Sequence, residues 1–301
     1  MKAIVLSAYG DADQLKLQDV PEPKVEPNQI KVRVAGASIN PVDWKLRSGA
    51  YHAFMPLTMP AILGKDAAGE VVEVGAGVTA FKVGARVMGR VNAAYAELVV
   101  GPADGWAEVP GAMDLIDAAA LPLVLLTGAQ LAEEAVNPGQ GDAVLVTGAL
   151  GSVGRVAVFT AKLRGAKVYA GVRSSQKASA AQLGADAVVA LDDAGELAKL
   201  PPLDSIADTV GGETTQKLLE KLKAGGTIGS IVGEPAGAKQ RGFVVHAIMT
   251  HSDSKRLAAL GQAVADGQLV IPIAKKFPLA QAAEAHKIAE KGAGGKVILT
   301  T

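Results

Sequence analysis

The run AVLVTGALGSVG, Ala143 to Gly154, constrains what this chain can fold into more than any other segment. An apolar stretch of strand composition enters three glycines spaced by threes, Gly148, Gly151 and Gly154, and then an apolar stripe of helical period from Ser152 to about Leu163. At a strand-to-helix junction the first N–H groups of the helix are unpaired and its dipole is positive. An anion is welcome there if no Cβ blocks its approach. The spacing departs from the common Gly-x-Gly-x-x-Gly, so by itself it reads either as a phosphate cradle or as a tight turn with close helix packing.

The surrounding pattern favours the cradle. After Pro110 the text becomes helical across DLIDAAALPLVLLTGAQLAEEA, with Pro122 as an interruption. Strands then alternate with helices: DAVLVTG, the helix from Ser152, AKVYAGV, a helix over 176–183, DAVVAL, SIADTV, a helix over 213–222, TIGSIV and FVVHAIM. Parallel strands need crossovers, so this alternation predicts a doubly wound α/β sheet, a Rossmann domain of about six strands that binds a dinucleotide. Before Pro110 the chain is β-rich, with AIVLSAY, IKVRVAGASI, GEVVEVG, ARVMGRV and AYAELVV as short strands and no helix of convincing length among them. The closing KVILTT reads as a strand that returns to that first region.

The end of the second alternating strand bears on which dinucleotide. A site for NAD places a carboxylate about twenty residues after the glycines to accept from the ribose 2′-hydroxyl. Here 155–185 hold no carboxylate, and Arg173, Ser174, Ser175 and Lys177 stand at the strand end. Those residues suit a 2′-phosphate, so NADPH is the expected cofactor, the other reading being a solvated basic loop that starts a helix.

ASINPVDWKLRSGAY, LGKDAAGEVVEVGAGVTAFKVGARVMG, AYAELVV, GALGSVG and FPLAQAAEAHKIAEKGAGGKVILT occur in an order that resembles the medium-chain dehydrogenase/reductase superfamily. Within it, the chain is similar to the zinc-free quinone oxidoreductase and enone reductase branch that includes zeta-crystallin. The resemblance spans nearly the whole chain. It implies a β-rich GroES-like catalytic domain of residues 1–115, completed by 267–301, and an inserted Rossmann NADPH-binding domain of residues 116–266. It also implies an active site in the cleft between them, and a homodimer formed through FVVHAIM. Zinc-dependent members carry Cys where Asn40 stands and Gly-His-Glu where Gly64-Lys65-Asp66 stands. With no cysteine in the chain and His52, His246, His251 and His286 widely scattered, no metal is expected.

The same resemblance places Asn40 beside the nicotinamide, with Asp43 and Tyr51 near it and Lys45 at the mouth. Tyr51 alone among these has a phenolic donor, so it is the expected oxyanion donor or proton source. Each also has a plain structural reading: Asn40-Pro41 as a turn, Asp43 as a cap, Tyr51 as a half-buried aromatic. For the cofactor, Thr127, Gly148, Ala149, Gly151, Ser152, Val153, Gly154, Arg173, Ser174, Lys177 and Gly233 are the candidates. Thr127 and Gly233 serve equally as helix and turn residues. Leu191 stands where some members stack a Tyr on adenine.

Basic and acidic residues balance at 30 each, so no field attracts nucleic acid or an anionic membrane. The apolar run near Met1 is too short for a signal segment and no run of about twenty apolar residues occurs, so cytoplasmic residence is the default expectation. Without a metal, hydride addition to a quinone or to the β-carbon of an enone is favoured over reduction of a simple ketone, because the acceptor delocalises the charge. The expected function is therefore an NADPH-dependent reductase of a small hydrophobic quinone or enone. A non-catalytic NADPH-binding protein of crystallin type and an enoyl-thioester reductase remain as alternatives.

Overall fold

The last strand of the chain, Lys296–Thr300, pairs antiparallel with Gln29–Ile39, Val297 opposite Ile39 and Thr300 opposite Gly36. The computed structural model describes residues 1–111 and 113–301. It divides into two compact units, Met1–Leu123 with Ser252–Thr301, and Val124–His251. Residues 116–123 and 252–266, which the sequence led us to group with the inserted domain, thus count with the first unit. Helix Ser254–Ala265 buries Leu257, Leu260 and Gly261, and a Cβ on Gly261 would come within 2.4 Å of the Met88 methyl on strand Arg86–Arg90.

In the first unit a seven-stranded sheet runs Ile273–Pro278, Lys296–Thr300, Gln29–Ile39, Asp66–Val74, Arg86–Arg90, Trp106–Glu108, with Leu98–Pro102 also paired to Gln29–Ile39. A smaller sheet orders Leu15–Asp19, Lys2–Leu6 and Ala61–Ile62. Their inward side chains, among them Ile4, Leu6, Ile30, Val32, Val71, Val87 and Leu299, form one core with Tyr95 and Trp106. Each buried aliphatic contributes about 1.5–3 kcal/mol.

One element corrects the sequence expectation. The β-rich region contains a helix, Pro41–Ser48. It escapes periodicity because it is two turns long and buries the polar Asp43 and Arg47 along with Leu46. Its start is nonetheless well specified: Pro41 occupies the first helical position, and the Asp43 carboxylate accepts from the Asn40 N–H at 2.8 Å.

The second unit is a six-stranded parallel sheet in the order Ala187–Ala190, Lys167–Val172, Ala143–Thr147, Leu203–Asp208, Leu222–Ser230, Val244–Ala247. This is the doubly wound arrangement, with the order reversing at Ala143–Thr147. Side chains alternate across it as the pleat requires. Val144, Val146, Val168 and Ala170 pack with Ala157, Val158 and Ala161 of helix Ser152–Leu163. Leu145, Tyr169 and Ile206 pack with Leu218 of helix Gly212–Leu218. The helix expected over 176–183 is three short pieces, and that expected over 213–222 leaves the α conformation after Leu218. The apolar helical stretch Leu115–Val136 has a mean hydropathy of 1.7, enough for a membrane span, but 78% of its window is buried inside the protein, as in a core helix.

Candidate functional site

The register between Lys296–Thr300 and Gln29–Ile39 carries both strands' ends to one buried spot, where Lys296 meets Asn40. The Lys296 Nζ donates to Asn40 Oδ1 at 2.6 Å and to the Ile39 carbonyl at 3.2 Å. The Asn40 Nδ2 donates to Asp66 Oδ2 at 2.7 Å, so an ammonium and a carboxylate fix which way the amide faces. Asp66 is fully buried and also accepts from Ser38 Oγ at 2.6 Å and from the Leu123 N–H at 2.6 Å. Burial raises the Asp66 carboxyl and lowers the Lys296 ammonium, while each opposes the shift of the other across 3.8 Å.

A second chain of buried polar groups runs into the same cluster. Arg47 Nη1 lies 3.2 Å from His286 Nδ1, and His286 Nε2 lies 3.3 Å from the Tyr95 hydroxyl. A guanidinium only donates, so Nδ1 is the acceptor and Nε2 carries the hydrogen that Tyr95 accepts. That leaves the Tyr95 hydrogen to face Asp43. Burial, then Arg47, holds His286 down at about 3, so the ring is neutral. Burial pushes Asp43 up to about 7, the Asn40 N–H opposing it, the Asp66 charge adding to it, and the Tyr95 hydroxyl opposing it again. Among the described residues the Asp43 Oδ1 has no hydrogen bond of normal geometry. Arg47 is held from outside by Glu290 at 3.0 Å.

The other two expected catalytic residues pair with each other instead. Lys45 Nζ donates to the Tyr51 hydroxyl at 3.0 Å and lies 5.1 Å from its ring centre, and Tyr51 packs on Phe54 at 4.5 Å between centroids. With its lone pair used by Lys45, the Tyr51 hydroxyl keeps its own proton to donate.

In the second unit the three glycines have three uses. Gly148 has a φ of +62° and turns the chain out of strand Ala143–Thr147. A Cβ on Gly154 would stand 2.2 Å from the Gly148 carbonyl oxygen, so this glycine lets the helix settle on the turn. At Gly151 a Cβ would meet only that oxygen, at 3.2 Å; the helix it precedes has no side-chain cap and no acidic residue in its first turn. The bare helix start lies at the carboxyl end of the strand where the sheet order reverses. Ser152 and Val153 begin the helix, and the Ala149 N–H is tied to the Gly171 carbonyl. The Thr127 and Thr250 hydroxyls share a hydrogen bond of 2.6 Å. Gly233, at φ +103°, lies three residues beyond the end of strand Leu222–Ser230.

The matches to known proteins follow this geometry. Residues 26–111 match the family described as alcohol dehydrogenase GroES-like domain, and 183–299 the one described as zinc-binding dehydrogenase. The quinone oxidoreductase of Rattus norvegicus is 30% identical, over 99% of this chain and 97% of that one. The chain belongs to the quinone oxidoreductase branch of the medium-chain dehydrogenases/reductases. Another relative, the 2-haloacrylate reductase of a Burkholderia species, is 30% identical over 95% of this chain and 94% of its own. The solved structure of mycobacterial Rv1454c complexed with NADPH superposes with a TM-score of 0.87 at 29% identity, covering all of both chains.

Several buried or paired polar groups in each unit were not singled out from sequence. Lys296 lies in a run that reads only as a closing strand. Asp208, fully buried, accepts from the hydroxyls of Thr147 and Thr215, both at 2.8 Å, and from the N–H groups of Val210 and Gly211. It thereby fixes the loop that touches Gly148. Asp192 and Glu196 lie beside the expected phosphate residues: the Ser174 N–H and hydroxyl both donate to Asp192 Oδ1 at 2.7 Å, and Lys177 is ion-paired with Glu196. The absence of carboxylates between 155 and 185 was read correctly from the sequence, but parallel pairing of Val172 with Ala190 brings these two from the next strand.

Proposed function

We propose that this chain is an NADPH-dependent oxidoreductase that reduces a quinone or the β-carbon of an α,β-unsaturated carbonyl compound, without a metal. The observation that carries this reading is the uncapped start of helix Ser152–Leu163 beside Gly151, which fits a pyrophosphate. The relative named a quinone oxidoreductase, the one named a 2-haloacrylate reductase and the NADPH complex of Rv1454c support it. NADPH, when bound, supplies the hydride. Gly148, Ala149, Gly151, Ser152, Val153 and Gly154 are the residues to hold its pyrophosphate, Arg173, Ser174 and Lys177 its 2′-phosphate, and Thr127 and Gly233 its nicotinamide end.

On the acceptor side we assign Asn40 the role of a fixed amide dipole, its orientation locked by Lys296 and Asp66. Asp43 holds a proton near neutral pH, and Tyr51 donates to the oxygen on which charge develops, with the Lys45 cation stabilising the phenolate left behind. Zinc does not fit the donor set. Asn40, Lys65 and Asp66 offer one carboxylate, and the Lys296 ammonium already neutralises it. We further propose a homodimer through strand Val244–Ala247, one of the two edge strands of the parallel sheet among the described residues.

The test is a steady-state screen of NADPH against NADH with one quinone, one enone and one saturated ketone. Oxidation of NADPH by the quinone or the enone, with the ketone inert, is the expected result. Tight NADPH binding without turnover of any acceptor would make the chain a binding protein, and turnover confined to acyl thioesters an enoyl reductase.

A further inference from the structure

If the second unit holds NADPH as proposed above, the groups meant for its 2′-phosphate are not idle in the structure. Ser174 offers two donors, its N–H and its hydroxyl, and both are spent on one oxygen of Asp192. Lys177 is spent on Glu196, whose other oxygen accepts from the Ala190 N–H at 2.8 Å. The two carboxylates are rigidly supplied. Strand Ala187–Ala190 runs parallel to Lys167–Val172 with Ala190 opposite Val172, so the residues after each strand emerge side by side. Asp193 then caps the Glu196 N–H at 3.0 Å. Arg173, in no ion pair among the described residues, remains the one cation of the strand end not claimed by a carboxylate, though its field also reaches Asp192.

We propose that Asp192 is a coenzyme-selectivity residue: it competes with the 2′-phosphate for Ser174 and offers an acceptor to an unphosphorylated ribose, so that the chain uses both NADPH and NADH. The chemistry follows from the charges. A phosphate entering this pocket meets a carboxylate already on its donors and must displace it or lie against it. A ribose 2′-hydroxyl meets no such conflict, because a carboxylate is the acceptor it needs. Arg173 pulls the preference toward NADPH and Asp192 pulls it back.

The experiment measures dissociation constants of NADPH and NADH by calorimetry for the wild type, Asp192→Asn, Ser174→Ala and the double variant. Asn keeps an oxygen to accept from the Ser174 N–H, so the loop is retained. The ratio of the NADH constant to the NADPH constant is expected to rise about tenfold in Asp192→Asn, the worth of one bond to a charged group. Ser174→Ala is expected to weaken NADPH binding in both backgrounds, but several-fold more in Asp192→Asn than in the wild type, where Asp192 competes for its donors. A ratio that stays constant or falls, or a Ser174→Ala effect equal in both backgrounds, overturns the proposal while leaving NADPH binding intact. A wild type that binds neither coenzyme overturns the cofactor reading itself, and this inference with it.

Discussion

The ammonium of Lys296 lies 2.6 Å from the amide oxygen of Asn40 and 3.8 Å from the Asp66 carboxylate, and all three side chains are buried. Asn40 and Lys296 are 256 residues apart, and the pairing of Val297 with Ile39 is what joins them. At this spot the chain holds an amide fixed between an internal cation and an internal anion. The arrangement is sensitive because each charge is tolerated in the interior only while the other is present.

Lys296→Met leaves Asp66 buried without its cation, and is expected to destabilise the fold by about 3–5 kcal/mol in urea unfolding. Adding Asp66→Asn should restore a large part of that loss, since the uncompensated charge is then gone as well. Losses that simply add would mean that the two groups do not compensate each other.

Asp43 and His286 impose opposite pH dependences on stability. The Asp43 carboxyl titrates at about 7 in the fold against 3.8 for the free group, so the folded state binds the extra proton and stability falls as pH rises from about 4 through 7. Asp43→Asn should remove that slope, which is worth on the order of 4 kcal/mol at most. His286 titrates at about 3 against 6.5, so stability falls as pH drops from 6.5 through 3, and His286→Gln should flatten that limb. Thermal melts across pH 3–8 for the three proteins read both slopes.

Gly151 and Gly154 should separate binding from folding. Gly154→Ala forces a Cβ against the Gly148 carbonyl and is expected to lower stability by about 1–3 kcal/mol or more. Gly151→Ala meets only one atom at 3.2 Å, so its melting temperature should change little while NADPH affinity falls. Equal effects of the two substitutions on stability would contradict the division of roles.

Arg173→Ala is expected to weaken NADPH by about 1.5–3 kcal/mol and to leave NADH nearly unchanged in calorimetry. The same loss for both coenzymes would mean that Arg173 does not contact the 2′-phosphate.

Tyr51→Phe removes the donor and keeps the ring on Phe54. Turnover of an enone is expected to fall roughly 10²–10⁴-fold with little change in melting temperature. Unchanged turnover would transfer the proton role to another group.

Much of this was legible locally. The helix Ser152–Leu163 lies where its apolar period places it, and the strands of the second unit where valine-rich runs sit between glycines. The Pro41–Ser48 helix was not legible, because its two turns bury an acid and an arginine that count as exterior residues in any periodic reading. Asp208 was missed for the same reason: a carboxylate at a strand end has no local mark that tells a buried loop anchor from a solvated turn.

The alternation of strands and helices, the bare glycine turn and the family resemblance were determined by sequence alone, since backbone conformation, side-chain period and the space a missing Cβ leaves are properties of neighbouring residues. Which charges face one another was decided only by the tertiary structure. Lys296 reaches Asn40, and Asp192 reaches Ser174, through strand registers that join distant residues. Electrostatic energy depends on the distance those registers create and on the burial around it, and neither is written in the spacing of residues along the chain.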